Sequence, residues 1–400
     1  MDIDQFFQNS HYNISRILLS INGLWPFHTK IKRYVIYFAL VLIIGSGFIF
    51  QVMGAIEVRE DSFEIIDTLP FLLLGIVVIC KMMFAVYMLP KIKLLLIKIQ
   101  EYSLISKSNE EHKIHNLHAM FGRNLSYAYT YIVLGHSILF NVATLLTRLM
   151  RTKGEKNDTS SNEHTQVGVA YRVNYVIDFD KYYAIIFIHT TFCIVWYVFL
   201  PVTLDVLYIT LIEHCRGMFA AVKYRLENAL LLENDNYGST KTSTRNKFYL
   251  NMVYSIRRHT ETIQFLNLIN SAYSPPLFMH MGGMMLGLGI VEYQVATNMH
   301  NINRLLKYIS FLNGLIINVF FENWLGQKII DSSEKVFESA YNAEWYNMPL
   351  AARKLLVLIM LKSIKPMVLT AGKFMALSYV TFNAIMRTTS SYFMLLQSLS

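Results

Sequence analysis

Long apolar runs constrain this chain more than any other feature of its sequence. Several of them hold about twenty apolar residues, enough for a helix to cross the hydrocarbon core of a membrane. Charged residues make up only 16% of the 400 positions, whereas about a quarter of a soluble domain is charged. The sequence therefore predicts an all-α, polytopic membrane protein.

Seven membrane spans can be placed along the chain. Basic residues cluster before the first span, at Lys30, Lys32 and Arg33, whereas the loop after it is acidic. Because cytoplasmic loops carry an excess of Lys and Arg, this alternation predicts a cytoplasmic N-terminus and an extracellular C-terminus. G-protein-coupled receptors have the opposite orientation, which argues against that class. The predicted spans cover residues 34–56, 67–89, 126–150, 183–212, 275–297, 305–329 and the last helix within 367–400.

The spans divide the chain into three parts. Residues 1–330 hold spans one to six, with a ligand pocket in their outer halves and helical cytoplasmic extensions. Residues 331–366 form one cytoplasmic anchor helix, because the unbroken apolar run within it is too short to cross a bilayer. Residues 367–400 form the last helix, which lines a pore. Residues 1–33 form a short amphipathic helix at the membrane surface.

The last helix carries its polar residues on a single stripe. At 100° per residue, five side chains lie within about 40° of a common line. A small, hydroxyl-bearing face suits a water-filled path, and leucine at its outer end suits a constriction that closes by dewetting. The alternative is a buried helix whose hydroxyls bond to their own backbone carbonyls. We call these residues the pore stripe: Thr381, Ala384, Thr388, Ser391 and Leu395.

The C-terminal residues also resemble a known family. Ala376-Leu377-Ser378, Phe382 and the run from Arg387 to Leu396 are similar to the C-terminal signature of insect odorant receptors. The specific motif covers about the last 30 residues, and the layout of the whole chain resembles that family too. The related gustatory receptors end in a different motif, so the odorant branch fits better. The chain lacks the long insertion between spans four and five that the co-receptor carries, and therefore resembles an odour-tuned subunit.

The resemblance implies a function and an assembly. The last helix would line a non-selective cation pore, with Leu395 at the gate and Ser398 at a second position near the pore mouth. The chain would form a heterotetramer with the co-receptor, through cytoplasmic helices from residues 213–270 and 331–364. It would lie in the plasma membrane of olfactory sensory neurons, in contact with membrane lipid. Two other functions stay open: a gustatory-type receptor channel of the same fold, and a secondary transporter.

A small-molecule pocket should be mostly apolar and aromatic, with a few polar groups. The family places its odorant pocket in the outer halves of the spans, and the scarcity of charge there predicts a neutral, volatile or lipid-like ligand. No short motif fixes the individual residues, which are chosen by depth and chemistry. They are Phe71, Leu72, Ser137, Phe140, Asn141, Thr144, His189, Phe192, Cys193, Trp196, Met285, Tyr308 and Phe311.

The remaining motifs add little chemistry. Lys81 and Asp205 lie at similar depths in spans two and four, which predicts a structural ion pair. Asn157 begins a glycosylation sequon in a predicted extracellular loop. The sequence holds no catalytic, metal-binding or phosphate-binding motif, so neither an enzyme nor a cofactor is expected. The positive net charge indicates contact with anionic lipid rather than nucleic acid.

Overall fold

The protein is almost entirely helical. The computed structural model describes residues 2–8, 10–105, 108–154, 168–229, 244–300 and 302–399. The structure confirms the predicted all-α class, apart from one hairpin whose two strands have two residues each. The elements are α1 (Ile3–Gln8), α2 (Asn13–Ile21), α3 (Lys30–Glu57), α4 (Ser62–Tyr87), α5 (Leu89–Leu104), α6 (Asn109–Gly154), α7 (Tyr183–Glu227), α8 (Thr244–Thr297), α9 (Ile302–Asn342), a 3₁₀ turn (Trp345–Asn347), α10 (Leu350–Ser363), β1 (Thr370–Ala371), β2 (Met375–Ala376) and α11 (Tyr379–Leu399).

Six of the described helices are long and apolar enough to cross a membrane: α3, α4, α6, α7, α8 and α9. The last helix, α11, is not among them, although its 21 residues would extend about 31 Å. That length is close to the thickness of a hydrocarbon core, about 30 Å. The seventh span and the orientation of the chain therefore remain predictions.

The helices α6 to α9 are much longer than a membrane requires, at 46, 45, 54 and 41 residues. Each continues a predicted span into a polar segment without a break. The predicted helical extensions of spans four and five are confirmed in α7 and α8. Prolines at positions 201, 275 and 276 lie inside these helices without ending them.

The N-terminal segment differs from the single surface helix predicted for residues 1–33. It forms two short helices, and Phe7, Leu19 and Trp25 are fully buried. Polar residues attach the segment to α7: the hydroxyls of Ser15 and Thr210 lie 2.6 Å apart. Similar bonds join Asn22 to Thr203 and Tyr12 to His214. Buried polar groups need such partners, and here α7 supplies them in place of the membrane surface.

The region from 331 to 378 also differs from its prediction. Residues 331–342 belong to α9, and α10 begins at Leu350 after Pro349, so the predicted anchor helix 331–366 is two helices. The last helix begins at Tyr379 rather than near 367, because residues 367–378 form the β1–β2 hairpin. Its turn has positive φ at Gly372 and Lys373, a backbone conformation that cannot continue a helix.

The predicted ion pair between Lys81 and Asp205 is confirmed and belongs to a larger buried network. Lys81 Nζ lies 3.3 Å from Asp205 Oδ1 and 3.9 Å from Glu322 Oε1. The Tyr129 hydroxyl donates to Asp205 Oδ2 at 2.8 Å, and His280 Nδ1 lies 2.7 Å from Glu322 Oε1. Since ionised groups are costly to bury alone, this network ties α4, α6, α7, α8 and α9 together.

Candidate functional site

A cavity of about 180 Å³ lies between α3, α4, α6, α7, α8 and α9. We call the half of the bundle that contains it the outer half, because Ala170 and Tyr171 line it and belong to a loop that is predicted to be extracellular. Side chains on the cavity wall are mostly apolar. They include Leu74, Val133, Ile194, Val198, Val202, Met284 and Leu315.

Aromatic rings centred on Phe71 line one side of the cavity. Phe71 stacks on Phe311, with ring centroids 4.9 Å apart and planes 14° from parallel. Tyr171 and Phe140 lie at 6.1 and 6.4 Å from the same ring. Lys307 Nζ lies 5.2 Å from the Phe71 centroid, so a cation covers this ring as well. The four rings come from three helices and the α6–α7 segment, which gives the wall a composite apolar surface.

Residues 168–175, which we call the roof segment, close the cavity on the outer side. Ala170 and Tyr171 line the cavity, and the amide of Asn174 donates to the carbonyl oxygen of Phe50 at 3.0 Å. Arg172 Nη1 donates to Glu64 Oε2 at 3.0 Å. Burial raises the pKa of the Tyr171 hydroxyl well above its usual value, so this group stays protonated. The bonds from Asn174 to Phe50 and from Arg172 to Glu64 hold the roof segment to α3 and α4.

The floor of the cavity is polar. Asp205 lines it, and both oxygens of that carboxylate are bonded, one to Lys81 and the other to Tyr129. His136 and Asn318 also reach the cavity wall. The cavity thus changes from apolar walls to the buried ion network at its inner end.

The structure brings four of the thirteen predicted pocket residues to the cavity wall: Phe71, Ser137, Phe140 and Phe311. The other nine do not line it. Phe192 is exposed on the outside of the bundle, and Tyr308 is buried with its hydroxyl bonded to Asp67. Leu72, Asn141, Thr144, Trp196 and Met285 occupy other positions on the same helices, where the Asn141 amide bonds to the Ser137 carbonyl oxygen.

His189 and Cys193, the remaining two of the nine, face α3 instead. A ring nitrogen of His189 lies 2.6 Å from the Tyr175 hydroxyl, and the other lies 3.2 Å from the Ser46 hydroxyl. The Cys193 thiol is fully buried and lies 3.5 Å from the carbonyl oxygen of Ile43. These contacts fasten α7 to α3, so both residues pack between the helices.

The pore stripe lies on a face of α11 that its own chain covers only in part. Ile385 and Thr389 point inward, and the Thr389 hydroxyl donates to Glu292 Oε1 at 3.2 Å. Of the pore stripe, Ala384, Ser391 and Leu395 are exposed, and Leu395 retains 55% of its accessible surface, whereas Thr381 and Thr388 are half-buried. The hydroxyls of Thr388 and Ser391 donate to carbonyl oxygens one turn earlier. The face is thus available to another subunit, to lipid or to water.

Two further predicted residues cannot be placed. Asn157 lies outside the described residues, and so does the side chain of Ser398. Other residues that the sequence did not single out also line the cavity, among them Gln51, Tyr129, Tyr171 and Asn318. Each is a polar side chain next to an apolar run, and that placement is the signal that could have found Gln51 and Asn318.

The fold and the cavity together define a class of protein, a multi-span helical membrane protein with a ligand-sized chamber in its outer half. Comparison with known sequences then shows the family. The family described as "7tm Odorant receptor" matches residues 62–390, and the chain belongs to that family. Membership in a receptor family agrees with the expectation that the chain is not an enzyme.

Individual members of the family share little sequence identity with this chain. Odorant receptor 82a of Drosophila melanogaster is 25% identical over 217 residues, which is 54% of each chain. The odorant receptor coreceptor of Anopheles gambiae is 28% identical over 147 residues, 36% of this chain and 30% of that protein. The match thus spans less than a third of the coreceptor's length. The insect olfactory receptor OR5 from Machilis hrabei, solved in complex with eugenol, shares the fold with a TM-score of 0.77 over all of both chains, at 12% identity.

Proposed function

We propose that this chain is an odour-tuned subunit of a ligand-gated, non-selective cation channel, and that its ligand binds in the cavity of the outer half. The observation that carries the proposal is the cavity itself, with its stacked aromatic wall, closed roof and apolar lining. Such chambers are the usual sites for small molecules. The complex of OR5 with eugenol supports a small-molecule ligand for a chain of this fold.

The ion path would run along the pore stripe. Exposure of Ser391 and Leu395 supports this, because a path between subunits requires a helix face that its own chain leaves uncovered. Several copies of α11 must then surround one axis, with Leu395 forming the hydrophobic constriction. Ligand binding would open the path only to the extent that the ligand prefers the open state over the closed one.

The subunit would assemble with the co-receptor into a heterotetramer through the inner parts of α7 to α10. Exposed apolar residues on α10, at Leu350, Val357, Leu358 and Leu361, support a partner at this end. The complex would lie in the plasma membrane of olfactory sensory neurons, with Asn157 as a glycosylation site on the outer side. Which odorant opens the channel is a question for a ligand panel.

A pair of adjacent residues on α6 tests the binding site. Ser137 lines the cavity, whereas its neighbour Ile138 is 60% exposed on the outside of the bundle. Coexpressed with the co-receptor, Ser137→Phe should fill the cavity and abolish odour-evoked current at unchanged surface expression. Ile138→Phe should respond like the unmodified chain. Equal loss in both variants, or in neither, would contradict the proposed site.

The gate and the partner need separate measurements. Leu395→Ser should raise the resting conductance or alter ion selectivity, and unchanged currents would contradict the gate. Odour-evoked current that is equally large without the co-receptor would remove the heteromeric assignment and favour a channel that assembles alone.

A further inference from the structure

Three polar side chains on the cavity wall each have a buried atom without a hydrogen-bond partner among the described residues. These atoms are Gln51 Oε1, the Tyr171 hydroxyl oxygen and Asn318 Oδ1. Gln51 and Tyr171 are only 2% and 5% exposed, so little of either residue reaches the surface. A buried polar group without a partner destabilises a fold unless a bound molecule supplies the missing hydrogen bond. Three of them around one chamber indicate a ligand that completes their bonds.

Three other polar groups on the same wall are already bonded. The Tyr197 hydroxyl donates to the carbonyl oxygen of Ile44 at 3.2 Å, and the Tyr129 hydroxyl donates to Asp205 at 2.8 Å. His136 Nε2 lies 3.4 Å from the Ser310 hydroxyl. The unpartnered atoms therefore form a distinct set, supplied by α3, the roof segment and α9.

We propose that the ligand of this cavity is a neutral molecule with an apolar body and a hydroxyl group, an alcohol or a phenol. Its hydroxyl bonds to one or more of Gln51, Tyr171 and Asn318. The inference rests on the proposed function, because it names the chemical class that the same cavity selects. A hydroxyl group both donates and accepts, so it can bond a side-chain amide in either orientation as well as the tyrosine hydroxyl.

The charges at the cavity floor disfavour the other small polar classes. The carboxylate of Asp205 repels a ligand carboxylate, and its charge is already balanced by Lys81, so an amine gains little from pairing with it. Ethers and ketones accept hydrogen bonds but donate none, so they cannot donate a hydrogen bond to an amide oxygen. A hydrocarbon would leave all three groups buried and unpartnered.

The test uses probes that share one skeleton and differ in the polar group. Octanol, methyl heptyl ether, octane, octanoic acid and octylamine form one series, and para-ethylphenol with its methyl ether forms a second. Half-maximal concentrations are measured as currents from the full chain coexpressed with the co-receptor. We expect a hydroxyl compound to act at a concentration about tenfold or more below that of its ether. An ether equal to its parent, or an acid or amine that acts best, overturns the inference.

Variants show which groups recognise the hydroxyl. Among Gln51→Leu, Tyr171→Phe and Asn318→Leu, at least one should raise the half-maximal concentration of the alcohol or phenol about tenfold, and that of the ether less than about twofold. Tyr197→Phe is the matched control, because its hydroxyl lines the same cavity but is already bonded. An unchanged ratio in all three variants, or an equal change in the control, contradicts the proposal.

Two kinds of failure are distinguishable. Silence toward the whole panel, with the chain and the co-receptor both at the cell surface, counts against the proposed function itself. Currents evoked by hydrocarbons, ethers or charged probes but by no alcohol or phenol of about six to twelve carbons leave the receptor function intact and overturn the hydroxyl preference alone.

Discussion

The two halves of α7 show how differently one helix is used at its two ends. In the outer half, Ile186, Thr190, Cys193, Tyr197 and Leu200 are buried at spacings of three and four residues, which is a single helix face. In the inner half, every residue from Val202 to Cys215 is buried. The inner half is therefore surrounded by protein, whereas the outer half turns one side away from the bundle.

Polar groups are buried in both halves. Around the inner half some of them join the N-terminal segment to α7, as in the bonds from Ser15 to Thr210 and from Asn22 to Thr203, although the Tyr208 and Tyr273 hydroxyls lack partners among the described residues. Around the outer half the cavity has Gln51 and Tyr171 with atoms that lack partners among the described residues. The complete burial of α7 from Val202 to Cys215 indicates a packed inner base that holds the helices, whereas the outer half contains the cavity.

The largest predicted effect concerns the ion network at the boundary between the halves. Lys81→Met leaves the buried carboxylates of Asp205 and Glu322 without their shared cation, and should cost about 3–5 kcal/mol of stability. Lys113→Met, at an exposed pair with Glu110, is the control and should change little. Thermal midpoints of the purified proteins and surface expression measure both. Equal midpoints would mean that the network does not join the halves.

The second prediction compares the halves of α7 directly. Leu207→Ala removes a fully buried side chain from the inner half and should cost about 2–5 kcal/mol. Ile188→Ala, on the exposed side of the outer half, should cost less than about 0.5 kcal/mol. Denaturation of the two variants under the same detergent conditions gives the difference. Similar losses would erase the contrast between the two ends of the helix.

A smaller effect is expected at the roof segment. Glu64→Gln weakens the charged contacts with Arg172 and Arg304, at 3.0 and 3.6 Å, while it preserves the shape of the side chain. The roof should open more often, so the odour-evoked current should decay about two- to fivefold faster after washout. Glu60→Gln, in the loop just before α4 and largely exposed, should leave the decay unchanged. Slower decay in the Glu64 variant would contradict the roof's role.

The smallest effect is predicted for the N-terminal segment. A hydrogen bond from Arg16 lowers the pKa of Asp4 below its ordinary value of 3.8. The pair therefore stabilises the fold above that pH, and its contribution is lost as the pH falls through the lowered pKa. Because Asp4 is partly exposed, Asp4→Asn should cost no more than about 1 kcal/mol at neutral pH. Melting curves at neutral and acidic pH measure it, and a larger effect at acidic pH would contradict the assignment.

The sequence was sufficient for the fold class, for the Lys81–Asp205 pair and for the helical extensions, because hydropathy and charge report them directly. It failed where tertiary contacts decide. From its sequence alone, the segment 1–33 resembles a surface helix, whereas in the structure its polar groups bond to α7. The hairpin before α11 is held in part by the amide of Gly372, which donates to the carbonyl oxygen of Ser274. Neither partner can be read from the local pattern.

The cavity was harder to predict than the fold. Apolar residues on a span give little information about which side faces the bundle, so His189, Cys193 and Phe192 were selected by depth although they point elsewhere. Tyr171 lies in the segment between α6 and α7, whereas the predicted pocket residues all belong to membrane spans. Phe71 and Phe311 do line the cavity, and their role in ligand binding stays a prediction.

The central claim is that the cavity, rather than the outer surface of the bundle, holds the ligand. Cysteine protection measures this directly: Ser137→Cys and Ile138→Cys are each labelled with a membrane-permeant thiol reagent, with and without an activating odorant. We predict that the odorant slows labelling at position 137 and leaves labelling at position 138 unchanged. Equal labelling at 137 in the presence and absence of the odorant, in channels that still respond to it, would contradict the account.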